Sequence, residues 1–377
     1  MPTIIPLEEG TRVIKEAGGE ALRQCYQCGL CSGSCPWNLV KKFSIRRMIR
    51  EGQYGFFETE SWWTCTTCAT CTTRCPRGVD IIEIVKALRR IMVEANVVPA
   101  NIQNMITSLA LEGNPWRETR GKRKDWVGLD VKSFTPGTDW LYFACCTLAY
   151  DPAEKRVAQA TTNILKRAGI DFGTLGARET CCGESVRKVG DEKLFQRLAG
   201  SNIRAFQESN VRRVLVNSPH CYTTFKNEYP QLGGDFEVVH TVQLLAELIK
   251  TGRLKFSNEL KKRVVYHDPC YLGRHNNIYD EPRQVLGAIP GLELVEFAEN
   301  REDSICCGGG GGCLWRGSQK EESLSDLRVE QAIELGAELL VVACPYCMIN
   351  FDDSVTTMGK QDTIQVKDIC NLVEEVI

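Results

Sequence analysis

The sequence lacks any run of about 18 consecutive apolar residues, the length that a membrane-spanning helix needs. Its first twenty residues, MPTIIPLEEGTRVIKEAGGE, also lack the basic segment followed by a long apolar one that marks a secretory signal. The formal net charge is only -2, which gives no electrostatic reason to expect nucleic-acid binding. We therefore expect a globular protein that remains in the cytoplasm, does not insert into a membrane and contacts one only through a partner.

Cysteine, in contrast, is abundant, with 20 among 377 residues. Cytoplasmic thiols are kept reduced, so this number indicates metal binding, with buried thiols or disulfides as the alternative. Cys306 and Cys307 are adjacent, and their Cα atoms should lie about 3.8 Å apart, whereas disulfides prefer roughly 4.4 to 6.8 Å. The glycines at 308–312 lack the third glycine of G-x-G-x-x-G and the Gly-Lys-Ser/Thr of a phosphate loop, which argues against a nucleotide site.

Two cysteine runs near the N-terminus share the spacing C-x2-C-x2-C-x3-C-P. In bacterial ferredoxins this spacing binds two 4Fe-4S clusters, and the fourth cysteine of each run ligates the other cluster. The motif implies one cubane cluster held by Cys25, Cys28, Cys31 and Cys75, and a second held by Cys65, Cys68, Cys71 and Cys35. Zinc is the alternative, although zinc sites usually group their cysteines as two separated pairs.

Apolar residues recur at helical spacing in residues 41–57 and 78–96, which predicts helices beside both runs. Residues 1–100 resemble the two-cluster alpha-helical ferredoxin domain found in the iron-sulfur subunits of several respiratory and anaerobic reductases. Residues 101–138 are rich in Gly, Pro and charge, and we predict a linker there. We interpret its basic cluster as a solvated surface, with docking of an acidic partner as the alternative. The cluster comprises Arg117, Arg120, Lys122, Arg123 and Lys124.

From about residue 139 onward, short apolar strands alternate with amphipathic helices, and the pattern occurs twice. The predicted strands are WLYFACC and RRVLVNS in a first copy over 139–258, and KRVVYHDPC, LELVEF and ELLVVACP in a second copy over 259–377. The cysteines repeat in register, because C, CC and CPYC in the second copy correspond to C, CC and SPHC in the first. Strand ends and loops should bring all five cysteines of the second copy to one edge of its sheet.

This repeat resembles the cysteine-rich CCG domain, and the whole chain resembles the D subunit of heterodisulfide reductase, which is similar to a fusion of that enzyme's C and B subunits. Subunits of anaerobic glycerol-3-phosphate dehydrogenase and glycolate oxidase, and lactate-utilisation protein A, share the layout. The resemblance implies an α+β multidomain fold, with an N-terminal alpha-helical two-cluster ferredoxin domain followed by two pseudo-symmetric α/β CCG domains.

In heterodisulfide reductase, each complete CCG domain binds a noncubane 4Fe-4S cluster in which adjacent cysteines bridge irons. The resemblance implies that the second copy holds such a cluster through Cys270, Cys306, Cys307, Cys344 and Cys347. Gly308, Gly309 and Gly310 would then let the backbone approach the cluster and a substrate. His267 lies beside these ligands, where it could donate a proton, form a hydrogen bond or simply pack in the core.

The first copy departs from the pattern, because Ser218 replaces the first cysteine of the CxxC motif. Three outcomes remain open: a cluster on the four matching cysteines, a five-ligand site completed by Cys145 or Ser218, or no cluster. The four are Cys146, Cys181, Cys182 and Cys221. We expect a further 4Fe-4S cluster here, since four thiolates suffice for an ordinary one. Cys313 and Cys370 match neither copy, and we interpret them as buried or incidental thiols.

Two functions fit these motifs. The first is an iron-sulfur electron-transfer subunit of an anaerobic heterodisulfide reductase-like complex. One possible complex of this kind is a benzoyl-CoA reductase-type assembly that carries out flavin-based bifurcation. The second is a disulfide reductase that acts on a heterodisulfide of coenzymes M and B at the noncubane cluster. A zinc scaffold is a third possibility. No sequence element supplies flavin, nicotinamide or haem binding, so we expect a flavoprotein or a membrane quinone or cytochrome subunit as the partner.

Overall fold

The computed structural model describes residues 7–56, 59–128, 131–317 and 322–377. The described residues form a mixed α/β protein with a helical N-terminal region and two parallel sheets. The N-terminal helices are α1 (Glu8–Glu16), α2 (Leu30–Gly33), α3 (Ile45–Gln53), α4 (Thr59–Thr64), α5 (Thr70–Thr73), α6 (Ile81–Glu94) and α7 (Ala100–Glu112). Among the described residues, no helix combines the length and apolar character that crossing a membrane requires.

The first α/β copy contains four parallel strands in the order β2-β1-β3-β4. Its strands are β1 (Trp140–Phe143), β2 (Phe172–Gly173), β3 (Arg213–Val216) and β4 (Glu237–His240). Its helices are α8 (Cys146–Tyr150), α9 (Lys155–Arg167), α10 (Glu184–Lys188), α11 (Glu192–Glu208), α12 (Pro219–Thr223) and α13 (Thr241–Lys250).

The second copy repeats this topology in the strand order β6-β5-β7-β8. Its strands are β5 (Arg263–Tyr266), β6 (Glu293–Val295), β7 (Leu339–Val342) and β8 (Gln365–Asp368). Its helices are α14 (Asp280–Ala288), α15 (Cys313–Arg316), α16 (Leu324–Glu334), α17 (Pro345–Thr357) and α18 (Ile369–Val376). The central strands are buried apolar runs, as a parallel sheet covered on both faces requires.

The two copies pack against each other through equivalent helices. Helix α9 of the first copy packs on α18 of the second, and α13 of the first packs on α14 of the second. Helices α9 and α14 are counterparts in the two copies, as are α13 and α18, so the two contacts are related by a pseudo-two-fold axis. The predicted duplication is therefore also the basis of the interface.

Helix α6 connects the helical region to both copies. The Asp80 side chain caps its N-terminus by accepting hydrogen bonds from the backbone N–H groups of Ile82 and Glu83. Ile84 and Leu88 on this helix are fully buried, and truncating such a side chain to alanine costs about 2 to 5 kcal/mol. The helix also carries Arg89, a fully buried arginine, into the junction between the domains.

Parts of the segment predicted as a linker are folded, within residues 101–128 and 131–138 that the structure describes. Its first twelve residues belong to α7, which buries Ile102 and Met105, and Ser133 pairs with Thr174 beside the first sheet. The interpretation of its basic cluster as solvated is wrong for Arg123, which is 1% exposed, although the other four members are exposed. Burial of this guanidinium is possible because it forms an ion pair with the equally buried Glu179.

Candidate metal centres

The first ferredoxin site lies at the surface. Its four predicted ligands line a single cavity, although Cys75 belongs to the other run. They are Cys25, Cys28, Cys31 and Cys75. Gly29 and Gly78 in this region adopt the left-handed backbone conformation that glycine tolerates best. Cys28 is exposed, whereas burial and the neighbouring Cys25 raise the pKa of the Cys31 thiol.

The second ferredoxin site is more enclosed. Its four predicted ligands, which are all buried, are Cys35, Cys65, Cys68 and Cys71. Burial raises the pKa of Cys35, and the neighbouring Cys68 and Cys65 raise it further, which places Cys35 beside cysteines of the other run. The backbone N–H of Thr67 donates to Cys65 Sγ over 3.4 Å, and the Thr70 hydroxyl lies 3.4 Å from Cys68 Sγ.

The second CCG copy brings its predicted ligands together at the carboxyl edge of its sheet. Cys270 follows β5, Cys306 and Cys307 occupy the loop before the glycines, and Cys344 and Cys347 begin α17. The Sγ atoms of Cys307 and Cys347 are 3.3 Å apart. All five side chains are buried. The left-handed Gly308 donates its N–H to Cys306 Sγ over 3.3 Å.

Three thiols of this site favour the thiolate. Hydrogen bonding with Cys270 lowers the pKa of Cys306, and hydrogen bonds with Cys306 and Cys347 hold the pKa of Cys307 well below its usual value. Burial opposes ionisation of Cys344, but hydrogen bonds with Cys347 and His220 hold its pKa well below the usual range. Thiolate is the form that binds metal, and the N-terminus of α17 favours it as well.

The first CCG copy has the same arrangement with one thiol fewer. The Sγ atoms of Cys182 and Cys221 are 3.3 Å apart, and Gly183 donates its N–H to Cys181 Sγ over 3.4 Å. Arg123 Nη1 donates to Cys146 Sγ over 3.3 Å and supplies a buried positive charge. Ser218 caps α12, because its hydroxyl accepts the N–H of Cys221 over 3.4 Å. This geometry favours a site of four thiols, with the serine in a structural role.

The glycine loop lies where three domains meet, which the sequence did not indicate. A Cβ atom at Gly310 or Gly311 would collide with the carbonyl oxygens of Thr66 or Cys65 in the ferredoxin region. The buried Arg89 donates to the carbonyl oxygens of Gly311, Cys65, Lys188 and Trp62 over 2.7 to 3.0 Å. The glycines at 310–311 thus permit close packing of this loop against the second ferredoxin run. Spacing along the chain gave no signal for these contacts.

The donor sets fit iron-sulfur clusters. Such clusters are held by cysteine thiolates, and each predicted set consists of cysteines that share one cavity or affect one another's ionisation. Burial raises the pKa of most of these thiols, including Cys71. The pKa of Cys270 is raised first by hydrogen bonding with Cys306 and then by burial. A cationic metal centre offsets that cost because it favours the coordinated thiolate.

Comparison with known families agrees with this fold and chemistry. Residues 21–79 match the 4Fe-4S dicluster domain, and residues 140–226 and 264–352 match the cysteine-rich domain CCG. Together they define a class of protein, an iron-sulfur protein with a ferredoxin-like 4Fe-4S domain and two CCG repeats. The chain belongs to the CCG-domain iron-sulfur protein family that includes the D subunit of heterodisulfide reductase.

Three relatives illustrate the range of this family. The D subunit of the dihydromethanophenazine:CoB--CoM heterodisulfide reductase of Methanosarcina barkeri is 35% identical over 83% of this chain and 77% of its own. EtfAB:quinone oxidoreductase of Syntrophomonas wolfei is 34% identical over 85% of this chain. Probable iron-sulfur-binding oxidoreductase FadF of Bacillus subtilis is 33% identical over 84% of it. The chain spans 47% of each of the latter two, about half their length.

Proposed function

We propose that this chain is an electron-relay subunit of a heterodisulfide reductase-like complex. In this proposal it holds two 4Fe-4S cubanes in the ferredoxin domain, a noncubane 4Fe-4S cluster in the second CCG domain and a further 4Fe-4S cluster in the first. Such clusters accept and release single electrons. The observation that carries the proposal is the unbroken series of cysteine sites, which starts at the exposed Cys28 and ends in the buried CCG sites.

Each step of this series joins neighbouring sites. Cys31 of the first ferredoxin site lies close enough to Cys71 of the second to raise the pKa of the Cys71 thiol, after the larger effects of burial and of three other cysteines. Cys68 of the second ferredoxin site is within hydrogen-bonding reach of Cys306 in the second CCG site. His220 of the first CCG copy then contacts Cys344 of the second. Short gaps between redox centres are what rapid electron transfer needs.

The exposed end of the series has the features of a docking surface. Tyr26 and Leu30 beside Cys28 are 59% and 49% exposed. Arg46 and Arg77 line the same cavity as the four cysteines. A small apolar centre with a basic rim suits a partner that presents acidic residues around its own redox group, since complementary charge speeds association. The names of two relatives, EtfAB:quinone oxidoreductase and dihydromethanophenazine:CoB--CoM heterodisulfide reductase, support a flavoprotein or a quinone-linked subunit as the partner. The proposal includes an acyl-CoA (benzoyl-CoA) reductase-type bifurcating assembly as one setting.

Stopped-flow reduction by a reduced electron-transferring flavoprotein tests this proposal. We expect the ferredoxin clusters to become reduced before the CCG clusters, and the variant Tyr26→Glu/Leu30→Glu to slow the first phase severalfold. Leu232→Glu is the matched control, because Leu232 is 36% exposed on the first CCG copy and lies outside the cavity. Iron analysis should give about 16 irons per chain for four clusters. Equal slowing by both variants, or only about eight irons, would contradict the proposal.

A second candidate function is disulfide reduction at the second CCG site. A surface cavity reaches Cys307 and Gly308 and is also lined by Arg316 and Asn350, so a small molecule could approach this site. Viologen-coupled reduction of the heterodisulfide of coenzymes M and B by the anaerobic chain distinguishes the two functions. Sustained turnover would favour this candidate, whereas absence of turnover with normal iron content would favour the relay.

A further inference from the structure

His267 is a buried histidine whose ring lacks ordinary partners. It directly follows β5, and its backbone N–H donates to the carbonyl oxygen of Val341 over 2.9 Å. The side chain is 1% exposed, and the edge of its ring packs on Phe351 with centroids 4.7 Å apart. Neither ring nitrogen has a hydrogen-bond partner within the described part of the chain. Leaving a buried polar group unpaired is unfavourable, so a partner is expected.

The ring lies beside two of the proposed cluster ligands. A nitrogen of His267 and the Sγ atoms of Cys307 and Cys347 all lie within 4.8 Å of one another. The other histidines of the chain already have a polar partner, because each has a ring nitrogen within 3.2 Å of a carboxylate or carbonyl oxygen. They are His220, His240 and His275. His267 therefore faces the second CCG site with unused polar atoms.

The first copy provides an internal comparison. Tyr142 pairs with Leu215 there, as Tyr266 pairs with Val341 in the second copy, so Phe143 is the counterpart of His267. Phe143 packs on Phe225, with ring centroids 4.8 Å apart, and the buried Arg123 guanidinium lies over its ring. An apolar ring thus satisfies the fold at this position. The imidazole occurs in the copy that carries all five cysteines, which points to a role at the site rather than in packing.

We propose that His267 donates a ring N–H hydrogen bond to a cysteine sulfur of the cluster in the second CCG domain, at Cys307 or Cys347, and thereby raises the reduction potential of that cluster. The inference rests on the proposed function, because it requires a cluster at this site. Hydrogen bonds to cluster sulfurs favour the more negative, reduced state, and so they shift the potential upward.

The test compares His267→Phe, which copies the first domain, with His267→Gln, which keeps an N–H donor. Phe351→Leu is the control, since it changes the apolar contact to the ring and removes no hydrogen-bonding group. Each protein is purified anaerobically in the complete chain and analysed for iron. Reduction potentials are then measured by EPR-monitored titration, and histidine-labelled protein is examined for ¹⁵N hyperfine coupling to the cluster.

We expect His267→Phe to lose the nitrogen coupling and to shift the potential of the CCG cluster downward, with the ferredoxin clusters unchanged. His267→Gln should shift it less. Loss of only this cluster in His267→Phe, with retention in Phe351→Leu, would also support the proposal. Unchanged coupling and potential in His267→Phe, or equal effects in Phe351→Leu, would overturn it without affecting the relay. A wild-type chain with no cluster at the second CCG site would overturn both.

Discussion

His220 and Tyr346 face each other across the interface between the two CCG copies, with ring centroids 4.5 Å apart. They occupy the same position in the motifs SPHC and CPYC, so each copy presents this side chain to the other. His220 contacts Cys344 of the second copy, and the Tyr346 hydroxyl lies 2.9 Å from that of Ser185 in the first. The degenerate first copy is therefore part of the surroundings of the complete site.

Removing the His220 side chain should strongly destabilise the protein. Burial opposes ionisation of Glu184, but the neighbouring His220 lowers the pKa of this carboxyl to about 2, so the carboxylate is charged while only 2% exposed. His220→Leu removes the main positive charge beside this carboxylate and leaves only the weaker effect of Lys188, which should cost up to about 3 to 5 kcal/mol. Anaerobic denaturant unfolding measures the loss. His220→Leu/Glu184→Gln should recover part of it, and a double variant as unstable as the single one would refute this explanation.

Arg89 should couple the second ferredoxin site to the glycine loop. Arg89→Met removes the donors to the carbonyl oxygens of Cys65 and Gly311 and leaves these carbonyl groups without that partner. We expect a loss of several kcal/mol of stability, since each unpaired buried group costs about 1 to 3 kcal/mol, and slower electron transfer between the two sites. Stopped-flow spectroscopy measures the transfer. The control Arg90→Met alters the neighbouring, part-buried arginine and should leave that rate unchanged.

Gly311 and Gly359 allow a matched test of the close approach of the glycine loop to the ferredoxin domain. Both have positive φ angles, +61° and +65°, but a Cβ at Gly311 would meet the Cys65 carbonyl oxygen whereas one at Gly359 would meet open space. Gly359→Ala should cost only the left-handed strain, about 1 to 2 kcal/mol. Gly311→Ala should cost clearly more and disturb the EPR spectrum of the second ferredoxin cluster. Equal unfolding midpoints for the two variants would show that the loop can relax.

The crossed ligation of the ferredoxin clusters predicts which serine substitutions should share a phenotype. Cys75→Ser should alter the same EPR signal as Cys28→Ser, because both residues line the first cavity. Cys35→Ser should instead match Cys68→Ser, whose site is more buried. Iron content and EPR spectra of the reduced variants measure this. If Cys75→Ser matched Cys68→Ser, each run would hold its own cluster.

His240 should make stability depend on pH. Burial lowers the pKa of His240 to about 4, although its hydrogen bond with the backbone of Asn217 acts in the opposite direction. In the unfolded chain the pKa of this histidine should be about 6.5. Between these two pH values the unfolded state binds more protons than the folded state. The free energy of unfolding therefore has its full value above about pH 6.5 and decreases as the pH falls toward 4. At pH 5 the loss should be about 2 kcal/mol. Urea midpoints at pH 7.5 and 5 should differ less in His240→Gln than in the wild type.

Local patterns predicted much of the architecture. Helices α3 and α6 lie within the two segments with helical spacing, and strands β1, β3, β5, β6 and β7 lie within the predicted apolar runs. The two-residue β2 gave no such signal, and α7 falls largely in the segment predicted as a linker. Arg123 was misjudged because its neighbours in sequence are exposed, whereas its ion-pair partner Glu179 lies in another element.

The sequence by itself determined the kind of chemistry and the duplication of the CCG domain, because cysteine spacing is local and thiolate sulfur is the usual ligand of iron-sulfur clusters. Only the tertiary structure decided that the glycine loop meets Cys65, that Arg89 joins three domains and that His220 and His267 face the same complete site. Those contacts join residues far apart in the chain, and they arise from packing two copies of one fold against each other and against the ferredoxin domain.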